Sequence, residues 1–324
     1  MNRHFTSPEP ASSPEPFFSV IVNVFNGARF LQGALDSVMA QTYPEWELIL
    51  WDDHSDDESP AIIGRCSAPL IRRHISPVRL GLVEARNLAM GVARGDWLAF
   101  LDQDDIWSPT KLARQRALIE ADRDGTLGIV YGRTMKFNQR GRQWDADRWH
   151  EFTPLPDGDI FRELIVHSCF PAMSSVALRR QVVCDLGQVP SEYRFCPDYY
   201  MLLAISRRYQ AACLQDVCCW YRIHERNLSK TNTMDIHQEI LRIVELWANQ
   251  VEPTLYDRRR RIHQSLIGLE EMFVTGRVRA GIARILRLGS LDYLCSRPFV
   301  KASRGIRRTW RRLGKERQPM PPWH

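Results

Sequence analysis

The sequence predicts an α/β fold: a mainly parallel central sheet with helices on both faces, followed by a C-terminal helical extension. Two observations carry this. The runs "FFSVIVNVF" (17–25) and "WELILWDD" (46–53) are continuously apolar until their polar ends, as in strands covered on both faces. Stretches with apolar residues at helical spacing alternate with such runs as far as residue 132.

The elements follow in order. After the first strand, "GARFLQGALDSVMAQT" places Phe30, Leu31, Ala34, Leu35, Val38 and Met39 on one helical face. The second strand, "WELILWDD", ends in acids. Ser59-Pro60 opens a helix, with Ser59 as N-cap and Pro60 in the first turn. "PLIRRHI" is a short third strand, and "LVEARNLAMGVAR" a helix closed by Gly95. "DWLAFLDQDD" (96–105) is the fourth strand. Ser108-Pro109 repeats the helix-start signal before "TKLARQRALIEA", and "LGIVYG" (127–132) is the fifth strand. Residues 133–160 are less patterned, with a hairpin turning at Gln139–Gly141. "SSVALRR" reads as a strand, "DYYMLLAISRRY" as an amphipathic helix, and "VCCWYRIH" as a final strand ending in His224. Two or three helices fill 235–290.

Composition narrows the function classes. The 324-residue chain has ordinary globular composition, 44% hydrophobic and 25% charged. No apolar run approaches the roughly 20 residues that span a bilayer. Pro, Ser and Glu dominate residues 6–16, so 1–16 is expected to be a disordered tail without an export signal, and the protein to be cytoplasmic. Eight cysteines without a CxxC pair predict free, mostly buried thiols and no zinc ribbon. Residues 251–324 hold 17 Lys+Arg against 6 Asp+Glu, while the preceding 250 residues are mildly acidic. Nucleic acid is therefore not the expected partner of the main fold.

In parallel sheets ligands bind beyond the carboxyl ends of the strands. Asp52-Asp53 and the "DQDD" of Asp102, Asp104 and Asp105 both fall at that edge. A hard divalent cation, Mg²⁺ or Mn²⁺, would neutralise such a cluster, using one or two carboxylates together with water and phosphate oxygens. The alternative is a solvated acidic turn capping the next helix. His224 ends another predicted strand and could join the cluster.

The order of "FSVIVNVFNGARFLQGALDSVMAQTYPEWELILWDDHSDD", "GLVEARNLAMGVARGDWLAFLDQDDIWSPTKL", "CPDYYMLLAI" and "WYRIHERNLS" resembles family 2 inverting glycosyltransferases of the GT-A (Rossmann-like) fold, over about residues 17–232. The resemblance implies a nucleotide-sugar-binding half (17–132) and an acceptor half (133–232), then a helical extension (233–295) and a basic tail (296–324). It implies that Asp53 accepts the N3–H of uracil in a UDP-linked donor. Asn23, Phe25 and Asn26 would line the nucleoside pocket, although the family more often has Tyr at the position of Phe25. Arg86 matches a basic residue near the phosphates or sugar; a solvated helix-face arginine is the alternative. Within "DQDD", Asp105 is the expected direct metal ligand, Asp104 faces the ribose or sugar and shares the metal, and Asp102 supports the turn. Asp198 falls where the family keeps its catalytic base, and also where a helix N-cap would sit. Pro197 stands where the family usually has a second acid. His224 completes the metal or diphosphate site, with Arg222 and Lys230 able to meet phosphate charge.

The implied activity is single-displacement, inverting transfer of a sugar from a nucleotide sugar to a hydroxyl of a glycan or lipid-linked glycan precursor of the cell envelope. The alternative is a catalytically inactive module that binds a nucleotide sugar or a partner on the same fold. The basic C-terminus suggests peripheral contact with the anionic inner face of the plasma membrane, against a solvated tail or a partner-docking segment.

Overall fold

The computed structural model describes residues 15–138, 143–145, 154–273 and 277–286. Strand β1 (Phe18–Val24) lies at the middle of the sheet and sends side chains into two cores. Phe18, Val20, Val22 and Val24 pack on helices α1 (Ala28–Met39) and α2 (Ser59–Arg65). Ile21 faces the other way, toward helix α3 (Leu82–Gly91). Period-two alternation puts Ser19 and Asn23 on that second face as well. Burial on both faces is thus the physical reason for the unbroken apolar runs.

Strands β2 (Trp46–Asp52), β3 (Ile71–Ile75) and β4 (Trp97–Phe100) join β1 in the order β3-β2-β1-β4, all parallel. Beyond β4 the sheet departs from the simple alternation. A three-residue strand, Ala177–Arg179, runs antiparallel between β4 and the long strand Leu127–Asn138. In chain order the remaining strands are β5 (Ile106–Trp107), β6 (Leu127–Asn138), β7 (Gln143–Asp145), β8 (Ala177–Arg179) and β9 (Gln210–Ile223). Among the described residues the strands form a nine-stranded sheet, in which β6 and β9 are parallel and β5 closes the far edge.

The helices are α4 (Lys111–Ala121), α5 (Phe161–His167), α6 (Arg180–Leu186), α7 (Pro197–Ser206), α8 (Leu228–Thr231), α9 (Thr233–Glu245), α10 (Pro253–Phe273) and α11 (Val278–Leu286). No helix among the described residues is long and apolar enough to cross a membrane.

Several expectations are corrected. The fourth strand ends at Phe100, so "DQDD" occupies a turn rather than a strand. Helix α7 is not amphipathic: Tyr199, Met201, Leu202, Leu203 and Ile205 are all buried, because it sits between sheet and helical extension. Ser59 does not cap α2; its hydroxyl accepts the Gly27 amide instead, and α4 starts after Thr110. Helix α3 ends at Gly91, and Gly95 has a different task. A Cβ there would lie 2.6 Å from the Ser19 amide nitrogen, so glycine lets the chain pass against β1. The seven described cysteines are free, but only Cys196, Cys218 and Cys219 are fully buried. The arms of the expected hairpin pair as β6 and β7; its turn and Cys295 lie outside the described residues.

Candidate functional site

Three adjacent parallel strands end together at one edge of the sheet. The Asp53 amide donates to the Val24 carbonyl at 2.7 Å, and the Leu101 amide to that of Ile21 at 3.1 Å. Asn23–Asn26, Asp52-Asp53 and Leu101–Asp105 therefore share one rim. Asp53 is buried, and its two oxygens accept the amides of Leu80 and Gly81 at 2.7 and 2.8 Å. It fixes the loop between β3 and α3 while each oxygen keeps a second lone pair. Beside it Asn23 has a buried side-chain NH₂ without a hydrogen-bond partner, and Asp52 a buried oxygen in the same condition. Unsatisfied polar atoms of this kind are costly in an ordinary core, and they mark places where a ligand can supply the missing partner.

The Phe25 ring carries the guanidinium of Arg79 at 3.9 Å from its centroid. Its backbone is clamped on both sides by Gln103, which accepts from the Phe25 amide at 2.9 Å and donates to its carbonyl at 3.0 Å. Asn26 adopts φ 49°, a left-handed conformation that Asn tolerates. Its amide donates to Ser55 Oγ and its side-chain oxygen accepts the Asp56 amide. Gln103 thus ties the loop after β1 to the acidic turn, a role carried by the middle residue of "DQD" that its type alone does not signal.

Within the acidic turn the carboxylates divide. Asp105, expected to be the direct metal ligand, is 1% exposed and accepts from Ser174 Oγ at 2.6 Å and from the Arg222 amide at 2.8 Å. Both its oxygens are engaged inside the protein, so it anchors the turn to β9. Burial, with Asp104 and Asp102 nearby, holds it well above the usual carboxylate range. Asp104 is more open than Asp105. Its Oδ2 lies 2.7 Å from His224 Nε2, and Arg222 Nε donates to its carbonyl. The Arg222 guanidinium is sandwiched 4.7 Å from Phe30 and 4.4 Å from Phe137. Asn227, which the sequence reading did not single out, accepts the His224 amide at 2.6 Å and donates to the Arg222 carbonyl at 3.0 Å. The side chain of Lys230 lies outside the described residues.

A second group faces this one. Arg86, 4% exposed on α3, reaches Asp102 Oδ1 at 3.4 Å. That makes it a buried site residue and not a solvated one. Removal from water pushes Asp102 up to about 6; Arg86 pulls it down, while Asp104 and Asp198 push it further up. Burial likewise raises Asp198, with Arg86 opposing. These mutual influences bring Asp198, Arg86 and Asp102 into one neighbourhood from three distant segments. Asp198 sits in the first turn of α7 behind Cys196 and accepts the Tyr199 amide at 2.9 Å, so it stands inside the helix rather than at the expected N-cap position.

Among the described residues no three His, Cys, Asp or Glu side chains form a protein-only metal cage. Asp104 and His224 nevertheless bring one oxygen and one nitrogen within 2.7 Å of each other. That donor set fits Mg²⁺ or Mn²⁺, whose remaining positions go to water and substrate phosphates.

Comparison with known proteins identifies the fold and the family. An uncharacterized glycosyltransferase of Nostoc sp. is 30% identical over 219 residues, 64% of this chain and 65% of that protein. The chain thus spans just under two thirds of that relative's length. The UDP-Glc:alpha-D-GlcNAc-diphosphoundecaprenol beta-1,3-glucosyltransferase WfgD of Escherichia coli is 25% identical over 68% of this chain and 83% of its own. S. aureus TarS in complex with UDP-GlcNAc has a TM-score of 0.58 at 18% identity, covering 79% of this chain and 73% of that one. The mannosyltransferase PcManGT of Pyrobaculum calidifontis, in complex with GDP-Man and Mn²⁺, gives 0.59 at 19% identity over 94% and 85%. These likenesses establish the GT-A fold. Residues 19–185 match the family Glycosyl transferase family 2, and on the match of more than half its length the chain belongs to that family of sugar-transferring enzymes.

Proposed function

We propose that the protein is an inverting glycosyltransferase that moves a sugar from a UDP-linked donor to a hydroxyl of a glycan or lipid-linked glycan precursor. The observation that carries this reading is the convergence of Asp104 with His224, and of Arg86 with Asp102 and Asp198, on the edge where the parallel strands end. UDP-Glc and a diphosphoundecaprenol-linked acceptor appear in the name of one relative, which supports both ends of the proposed reaction.

The nucleoside lies at the rim formed by β1 and β2. Asp53 offers a free lone pair to the uracil N3–H, and the buried NH₂ of Asn23 donates to the nucleoside. Asp104 and His224 would hold Mg²⁺ or Mn²⁺, with Asp102 supporting the turn. When bound, the cation neutralises charge that grows on the leaving diphosphate. Arg86 is buried beside Asp102 and Asp198 and offsets their mutual repulsion. Asp198 accepts the proton of the acceptor hydroxyl while that oxygen attacks the anomeric carbon. The bond from that carbon to the diphosphate oxygen breaks, and its electron pair leaves on UDP. One displacement inverts the anomeric centre. A carboxylate whose pKa burial has raised is a better base than a solvated one.

The enzyme works as a peripheral protein on the cytoplasmic face of the membrane that carries its acceptor. Arg258, Arg260, Arg277 and Arg279 are exposed on or beside α10 and α11, and support attraction to an anionic surface. A thermal-shift panel of nucleotide sugars, with and without Mn²⁺, tests the donor assignment: UDP-sugars together with Mn²⁺ stabilise the protein, and Asp104→Ala removes the Mn²⁺-dependent part. Stabilisation by GDP-sugars alone contradicts the UDP assignment.

A further inference from the structure

The segment that leads into α7 has no regular structure between Gly187 and Cys196, yet it delivers Asp198 to the site. Such a segment holds a side chain accurately only if something fixes its backbone. Two groups from different parts of the molecule do so. At its start, the carboxamide of Asn87 on α3 donates to the Val189 carbonyl at 2.9 Å and accepts the Val189 amide at 3.1 Å. Asn87 follows Arg86 directly, so the same helix turn carries the site arginine and the first tether. At its end, Glu239 on α9 accepts three successive amides: Arg194 at 3.0 Å on one oxygen, Phe195 at 2.8 Å and Cys196 at 3.0 Å on the other.

Glu239 is only 2% exposed. Its nearest cation is the exposed Arg242 at 3.9 Å, a weak contact across one helical turn. A buried carboxylate is expensive unless strong donors replace its water, and three aligned amides are such donors. The arrangement also consumes amides that precede α7 and would otherwise have no partner. Glu239 thus exchanges hydration for a fixed backbone two residues before Asp198.

Resting on the reading of Asp198 as the base, we propose that Glu239 is a positioning residue for catalysis, with Asn87 as the second tether, so that the helical extension beyond the family match forms part of the catalytic apparatus. The tethers fix Asp198 against Arg86, one from the nucleotide side and one from the extension. Displacement of a reacting group by about 1 Å can cost on the order of 100-fold in rate.

The test compares Glu239→Gln, Glu239→Asp and Asp198→Asn by steady-state transfer and by UDP binding with Mn²⁺. The carboxamide introduced by Glu239→Gln keeps one acceptor oxygen and turns an NH₂ toward amide hydrogens, so kcat falls roughly 10- to 100-fold while donor KM and UDP affinity change less than about twofold. Glu239→Asp retains the charge and recovers part of the rate. Adding Glu239→Gln to Asp198→Asn lowers the rate no further, since both act through one group. A Glu239→Gln enzyme with full kcat, or one that loses UDP affinity in proportion to rate, overturns the proposal while leaving the role of Asp198 intact. An active Asp198→Asn enzyme instead overturns the base assignment. If Glu239→Gln fails to fold, hydrogen exchange of the wild-type protein decides: the amides of Arg194, Phe195 and Cys196 are protected, and exchange as fast as in an open loop refutes the tether.

Discussion

The imidazole of His224 and the carboxylate of Asp104 meet at 2.7 Å although 120 residues separate them in sequence. The other ring nitrogen, Nδ1, accepts the amide of Arg226 at 3.2 Å. An amide can only donate, so the neutral ring carries its proton on Nε2, pointed at Asp104. To hold a cation, His224 would offer the Nε2 lone pair, with its ring proton on Nδ1 in place of the contact from Arg226. His224→Ala and Asp104→Ala therefore weaken Mn²⁺ binding to the UDP-bound protein by about tenfold or more. Paramagnetic titration of Mn²⁺ with UDP present measures this; unchanged affinity in both variants excludes the pair as ligands.

Gln103 clamps both backbone groups of Phe25 and fills the space that a Cβ on Gly27 would need, so that any side chain there would collide with Gln103 Oε1. Gln103→Ala removes the link between the nucleoside loop and the acidic turn. The expected result is a loss of roughly three- to tenfold in UDP affinity, on the order of 1 kcal/mol for lost hydrogen bonds, read by calorimetry. Gln103→Glu is worse, because it can no longer donate to the Phe25 carbonyl and adds charge beside three acids.

Lys111 is fully buried, donates to Gln115 Oε1 at 2.9 Å and lies 4.0 Å above the Trp107 ring. Burial pushes its pKa down to about 8, against weak opposition from Cys218 and Cys219. The unfolded chain then binds more protons than the folded one between about pH 8 and 10.5, so stability rises with pH across that window. Denaturant unfolding at about pH 7 and about pH 9.5 should show a gain of about 2 kcal/mol from this group, absent in Lys111→Met.

His237 and His263 face each other through Nδ1 at 3.0 Å between α9 and α10. Burial, together with the charge of Arg259, pushes His237 down to about 4 and His263 well below its usual value. Their folded pKa values lie below the unfolded one, so the stability they contribute is present above pH 6.5 and is lost as pH falls toward about 4. The helical extension should lose hydrogen-exchange protection at about pH 5 before the sheet does, and His263→Phe should flatten that dependence.

The β-α alternation was legible because burial on both faces of β1 and β2 leaves few polar interruptions. The strand in "SSVALRR" was legible too, but its antiparallel place between β4 and β6 was not, because the three residues Ala177–Arg179 carry no sign of which strands they pair with. Helices α5 and α6, each of seven residues, are too short to show a period. The site residues were legible as types and order, but adjacent acids in a turn can point in opposite directions. Hence the sequence did not distinguish Asp105, which anchors β9, from Asp104, which faces His224. Glu239 was invisible for a related reason: it shares the buried side of α9 with Ile240, Ile243 and Val244, and nothing in the sequence shows the three amides that receive an acid there.

On the proposed mechanism Asp198 is the base of a site whose donor-binding parts are built independently of it. Transfer by Asp198→Asn, measured with a UDP-sugar and Mn²⁺ alongside UDP binding to the same protein, tests it most directly. Transfer should fall by at least about 100-fold with UDP affinity nearly unchanged. Wild-type transfer rates in this variant would contradict it.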